Sequence, residues 1–197
     1  MADRASSVSR VTKETQIEGY VRIEGNGAAK VDTSIPFFDH MLNQLAKHSG
    51  MDLSLECTGD VEVDAHHLVE DVGIVTGQLL KGALGDKVGI ARFASLALPL
   101  DEALVDVSID LSGRPFLYYG IDHSGQYPLG TPPFDPQLSE EFFRAFAFAA
   151  DICLHIDLRR GRNSHHIVEA TFKAVARTIR SAAQVISNDL PSTKGKL

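Results

Sequence analysis

Cysteine is scarce in this chain. Cys57 and Cys153 are the two, far apart and each within an apolar, strand-like stretch. That argues against a disulfide framework or a thiolate metal site, and both thiols are expected buried and reduced. Long apolar runs are lacking as well. None approaches the roughly 18 residues that suggest a membrane span. The opening "MADRASSVSR" has no apolar stretch of the signal-peptide kind. Excess positive charge is also missing. Lys and Arg total 19 against 26 Asp and Glu, giving a formal net charge of -7. This argues against a general nucleic-acid binder but leaves room for a local basic pocket. The expectation is a cytoplasmic-type protein with neither membrane nor nucleic acid as partner. A chloroplast form with its transit peptide removed would look the same.

What is present is an ordinary globular composition. The 197 residues are 44% hydrophobic, enough for one large domain or two small ones. "VSRVTKETQIEGYVRIEG" alternates polar and apolar residues and reads as strands. Asn26-Gly27 is a tight-turn signal between strands. Pro36 opens "PFFDHMLNQLAKHSG", whose Phe37, Met41, Leu45 and His48 recur at helical spacing, and Gly50 suits the stop. "MDLSLEC" is a short strand. A helix is expected over about 64–84, weakened by Gly73 and Gly77. "ARFASLALPL" and "ALVDVSIDLSG" are strands, and 123–137 is a loop rich in Gly and Pro. The helix "SEEFFRAFAFAAD" follows, then the strand "ICLHIDL" and a helix from Asn163 to about Ile186. The tail "NDLPSTKGKL" reads as irregular.

Each half therefore reads strands, helix, strand, helix. The halves align at an offset of 99 residues, which brings 66 onto 165 and 70 onto 169. Under that register "HHLVE" meets "HHIVE". His40 lies 26 residues before His66 and Glu141 lies 24 before His165, each on the preceding helix. An internal duplication explains this. The fold class expected is α+β: two similar two-layer units, each an open sheet with helices on one face, spanning 1–90 and 91–197 within one unit.

Neighbours on an α-helix point about 100° apart, so adjacent histidines do not easily chelate one ion. Residues three or four apart share a face. His66 can pair with Glu70 while His67 projects elsewhere. His165, His166 and Glu169 repeat the arrangement. With His40 and Glu141 the set reaches eight potential ligands, suited to two ions with open positions. Imidazole and carboxylate without thiolate favour Mn, Fe, Co, Ni or Zn over a cysteine-bound structural zinc. A single HH pair would read as a polar helix start; two in matching repeat positions do not. His123 and His155 have no counterpart in the other half and read as structural.

Arg92 opens a strand, Arg114 lies in "LSGRPFL", Lys173 follows the second HH motif, and the tail carries Ser192, Thr193 and Lys194. Arginine can fork onto phosphate oxygens, and Ser or Lys can complete a cradle. Spacing alone does not bring these residues together. The residues leave open a dinuclear hydrolase and a metal-storage or metal-sensing protein beside a lyase.

"RVTKET", "FFDHMLNQLAKHSG", "DAHHLVEDVG", "PLDEALV", "LSGRPFL", "GRNSHHIVEATFKAVARTIR" and "PSTKG" occur in this order. Together they resemble the imidazoleglycerol-phosphate dehydratase family in its monofunctional form, from about Arg10 to Gly195. The resemblance implies a hydro-lyase of histidine biosynthesis that uses two Mn(2+) per active site. It implies a duplicated unit similar to the second domain of ribosomal protein S5. It also implies hollow 24-subunit homo-oligomers with active sites between subunits. Carried over by position, the metal ligands are His40, His66, His67, Glu70, His165, His166 and Glu169. Glu141 joins them where some members have His. Glu14 matches the family's catalytic glutamate, and His48 is a second proton carrier. Gln44, His48, Arg92, Arg114, Lys173, Ser192, Thr193 and Lys194 match substrate-contacting positions, Glu14 among them. The tail of the second repeat then binds phosphate.

Overall fold

The computed structural model describes residues 3–195 and 197. The first repeat runs β1 (Ala5–Val11), β2 (Thr15–Arg22), β3 (Ala29–Asp32), α1 (Pro36–Ser49), β4 (Asp52–Gly59) and α2 (His66–Leu84). The second runs β5 (Phe93–Leu100), β6 (Ala103–Asp110), β7 (Phe116–Gly120), α3 (Leu138–Ala149), β8 (Cys153–Arg160) and α4 (Ser164–Ala182). The two sheets share one topology, β1-β2-β4-β3 and β5-β6-β8-β7. In each, the third strand in sequence pairs in parallel with the fourth, and the remaining pairs are antiparallel. The fold is α+β and internally duplicated.

Burial alternates along β2 and β6, so each sheet turns one apolar face inward. The helices cover those faces. α2 packs on β1 and β2, and α4 on β5 and β6. The helices also pair across the repeats, α1 with α4 and α2 with α3. They form a shared middle layer between two outer sheets.

The aromatic residues of α3 explain why the layer holds together. Phe142 stacks on Phe172 of α4 at 5.1 Å between ring centroids, and Phe143 meets the same ring at a tilt at 4.7 Å. Phe142 meets Phe38 of α1 edge-on at 5.5 Å. Each such pair contributes roughly 0.5–1.5 kcal/mol beyond its buried area. The α2–α3 seam works differently. Gly73 and Gly77, one turn apart, let the backbone of α3 approach closely. A Cβ at Gly77 would lie 2.5 Å from the Phe146 carbonyl oxygen, and one at Gly73 would lie 2.7 Å from that of Phe142. The two glycines that weakened the helix expectation are the reason α2 and α3 can touch.

The helix ends follow local chemistry. Pro36 opens α1, and Gly50 closes it in the left-handed region at φ 79°. Asn163 caps α4, its side chain accepting from the backbone N–H groups of His165 and His166. Asp64 Oδ1 accepts from the His66 N–H at 2.7 Å at the start of α2. Three expectations differ from the structure. α4 ends at Ala182 rather than near Ile186, because Gln184 O accepts from Ala91 N–H and Val185 bridges Ile90. β3 and β7 are short strands the alternation did not signal, because each is recruited by a longer parallel neighbour. The Asn26-Gly27 turn leads into β3 without making a hairpin, since β3 pairs with β4 and not with β2. Both cysteines are free, Cys57 buried and Cys153 half-buried. Among the described residues no helix is long and apolar enough to cross a membrane.

Candidate metal and substrate site

α1 and α4 lie side by side, and their N-terminal turns bring three donors together. His40, His165 and Glu169 each offer an atom within 4.8 Å of the others. His165 Nε2 lies 2.8 Å from Glu169 Oε2, and His40 Nε2 lies 3.4 Å from the same oxygen. Phe37 meets the His165 ring edge-on at 5.2 Å and fixes its plane. Lys173 Nζ holds the other carboxylate oxygen, Glu169 Oε1, at 2.5 Å. Burial pushes the Glu169 carboxyl up, but hydrogen bonds from Lys173 and His165, with the Lys173 charge, outweigh it and hold the group down to about 2. The cluster therefore sets a carboxylate of lowered pKa between two imidazoles.

About two turns beyond His40 on α1, His48 Nε2 lies 3.1 Å from Gln44 Oε1. Burial, then the nearby charges of Lys173 and Arg177, hold His48 below the ordinary histidine range. His48 thus lies on the same helix as His40, with the charges of Lys173 and Arg177 near it.

The corresponding place in the other half is α2 with α3. His66 Nε2 lies 3.7 Å from Glu70 Oε2. Glu141 of α3 shares one surface depression with His66 and a second with Glu70, Arg144 and Phe148. Arg144 Nε lies 3.6 Å from Glu141 Oε2, so a cation would displace an existing ion pair there.

The second histidine of each pair turns away, as the 100° step requires. His67 Nδ1 lies 3.0 Å from Asp60 Oδ2 and 3.9 Å from Glu14 Oε2. His166 Nδ1 lies 2.7 Å from Glu102 Oε2, and its Nε2 lies 3.7 Å from Asp101 Oδ2. The hydrogen bond to Asp60 raises the His67 pKa, and that to Glu102 raises the His166 pKa. Glu102 is in turn held down to about 2 by His166 and by the backbone N–H groups of Asn163 and Arg162. Asp60, Asp101 and Glu102 were not read as site residues from the sequence. A signal existed: Glu102 directly precedes β6 as Glu14 directly precedes β2.

The basic residues gather in another place. Arg92 forks onto Asp110 at 2.7 and 3.1 Å and donates to Pro191 O at 2.8 Å. That bond docks the tail, so Ser192, Thr193 and Lys194 follow on directly from the anchored Pro191. Arg114 lies 3.9 Å from the same Asp110 and is exposed. Lys173 does not join this group; it belongs to the α1–α4 cluster. His123 is buried between Tyr119 and Gln126, and His155 stacks on Tyr118.

The class so defined is a duplicated α+β frame that presents nitrogen and oxygen donors on paired helices, three of them able to hold a metal ion, with a basic patch elsewhere on the chain. The imidazoleglycerol-phosphate dehydratase family model matches residues 33–179. The chain belongs to this family, whose members are hydro-lyases. It is 52% identical over 190 residues to the imidazoleglycerol-phosphate dehydratase of Alkaliphilus metalliredigens, covering 95% of this chain and 96% of that one. It is also 52% identical to that of Roseobacter denitrificans, covering 98% and 100%. The fold superposes on the crystal structure of the Staphylococcus aureus enzyme with a TM-score of 0.80 at 38% identity, covering 90% of this chain and 97% of that one. The Pyrococcus furiosus enzyme, solved in complex with (S)-C348, gives 0.82 at 34% identity, covering 96% and 100%.

Proposed function

We propose that this chain dehydrates D-erythro-imidazole glycerol phosphate to imidazole acetol phosphate in histidine biosynthesis, in the cytoplasm. One observation carries the reading. Within each chain the candidate ligands fall into two groups: His40, His165 and Glu169 converge, His66 lies by Glu70 with Glu141 bordering the same surface depressions, and His67 and His166 face elsewhere. Such a chain completes its sites only with another copy. This supports a homo-oligomer with active sites between subunits and two Mn(2+) in each; its size, 24 subunits, is what the family resemblance implies.

The donor set suits Mn(2+). Two imidazoles and an ionised carboxylate, without thiolate, are hard-to-intermediate ligands. Three donors per half-set and one histidine from a second chain leave positions open for substrate. Bound Mn(2+) would supply Lewis acidity that holds the substrate's imidazole ring as an imidazolate. The reaction removes the C2 proton and the C3 hydroxyl as water, and the resulting enol becomes the ketone. Glu14, whose carboxylate lies 3.9 Å from His67 Nδ1, would move the C2 proton. His48, its pKa held down chiefly by burial, would be the second proton carrier. Arg92, Arg114, Ser192, Thr193 and Lys194 would hold the phosphate, with Gln44 and Lys173 nearer the ring. The phosphate lies far from the reacting carbons, so its contacts supply orientation. The two repeats, 1–90 and 91–197, then contribute unlike parts, the second ending in the phosphate-binding tail.

The test is incubation of Mn-loaded protein with imidazole glycerol phosphate. Ketone formation without phosphate release supports the proposal. Phosphate release identifies a hydrolase, and tight metal binding without turnover identifies a storage or sensing protein.

A further inference from the structure

The two histidines of each pair use their ring nitrogens differently. His165 turns Nε2 onto Glu169 of its own helix, and His66 turns Nε2 toward Glu70 of its own. His67 and His166 instead engage a carboxylate through Nδ1. An ionised carboxylate can only accept, so Nδ1 carries the hydrogen, and the lone pair of the neutral ring lies on Nε2, on the far side. Asp101, 3.7 Å from His166 Nε2, is beyond hydrogen-bond reach and leaves that nitrogen open.

The two carboxylates come from different places in the repeat. Asp60 is the first residue past β4. Its counterpart past β8 is Gly161, which has no side chain. In the second repeat the role passes to Glu102, which stands where Glu14 stands in the first. Glu102 is itself anchored, its Oε1 accepting from the backbone N–H groups of Asn163 at 2.8 Å and Arg162 at 3.1 Å. Asp60 holds His67 at the cost of a buried, unpartnered Oδ1, which a purely stabilising contact would not leave. Because Asp60 occupies His67, Glu14 remains 3.9 Å away and uncommitted.

We infer that Asp60 and Glu102 are positioning residues: each fixes the tautomer and direction of one histidine, so that Nε2 of His67 and of His166 is offered to an ion held by another chain. This rests on the metal reading above. Carboxylates that orient ligating histidines typically account for roughly 10–100-fold in metal affinity. The division also explains why Glu14, in the equivalent turn to Glu102, is free for proton transfer.

The experiment is calorimetric titration of the metal-free, full-length protein with Mn(2+), comparing the parent with Asp60→Asn and Glu102→Gln. An amide keeps size and the backbone acceptor, but its NH2 can donate to Nδ1 and so releases control of the tautomer. The parent is expected to bind two ions per chain. Each variant should keep one class of site at parental affinity and weaken the other roughly 10–100-fold, with the melting temperature of the metal-free protein unchanged. Parental affinity at both sites in both variants overturns the inference. So does equal weakening of both sites accompanied by a lower melting temperature, which marks a structural role. Should Glu102→Gln not fold, Asp60→Asn, whose carboxylate holds no backbone amide, decides the matter alone. A parent that binds no Mn(2+) would instead remove the metal reading itself.

Discussion

Gly77→Ala tests whether the α2–α3 seam is set by backbone contact. The added Cβ would meet Phe146 O at 2.5 Å, Ala149 Cβ at 2.8 Å and Ala150 N at 3.0 Å. Carbon atoms at rest sit about 3.5–4.0 Å apart, so the helices must part by about 1 Å. Two of the three obstacles are backbone atoms and cannot rotate aside. Overpacking of this kind costs about 1–3 kcal/mol, and the rigid obstacles place it toward the upper end. Ala in place of Gly returns up to about 1 kcal/mol of helix propensity. The net loss is about 1–2 kcal/mol. At about 2–4 °C per kcal/mol for a chain of this size, melting should fall by roughly 2–8 °C. Circular dichroism melts at fixed protein concentration read this directly. The displacement also moves Glu141 on α3 away from His66 and Glu70 on α2, leaving His40, His165 and Glu169 in place. Mn(2+) titration should then show one weakened site and one intact. A variant that melts at or above the parent temperature would refute the reasoning, because propensity would have outweighed contact.

Glu14→Gln should lower kcat by roughly 10²–10⁴-fold while metal content and particle size stay unchanged; activity within about threefold of the parent would move the base elsewhere, with His48 next to test. Strong chelator should shrink the assembly, since an ion shared between chains stabilises it by mass action, and light scattering with the same particle size before and after would count against shared sites. For the metal-free protein, the depressed Glu169 carboxyl contributes stability that is complete above its ordinary value of 4.5 and is lost as pH falls toward about 2. Urea midpoints should therefore drop across that window. Lys173→Met removes the ammonium that holds Glu169 Oε1 and should shift the drop to higher pH; an unchanged profile would show that Lys173 does not hold the carboxylate.

The sequence by itself determined the duplication, most of the element types and a set of candidate donors. The offset of 99 aligned both HHxxE helices, and the helical step of 100° already required that His66 and His67 diverge. The structure kept that divergence and decided what it meant. His40 reaches Glu169 across 129 residues and His166 reaches Glu102 across 64. Separations of that size carry no periodic signal, so the partition of donors into two half-sets became visible only when α1 lay on α4 and α2 on α3. β3 and β7 escaped notice for a related reason: each exists because a longer strand offers it a parallel edge. Arg92 illustrates the limit most plainly. Its side chain anchors the C-terminal tail through Pro191, 99 residues away, and only the packed sheet brings those two segments to the same edge. Local spacing fixes which side chains can share a helix face; the pairing of distant faces is a property of the whole core.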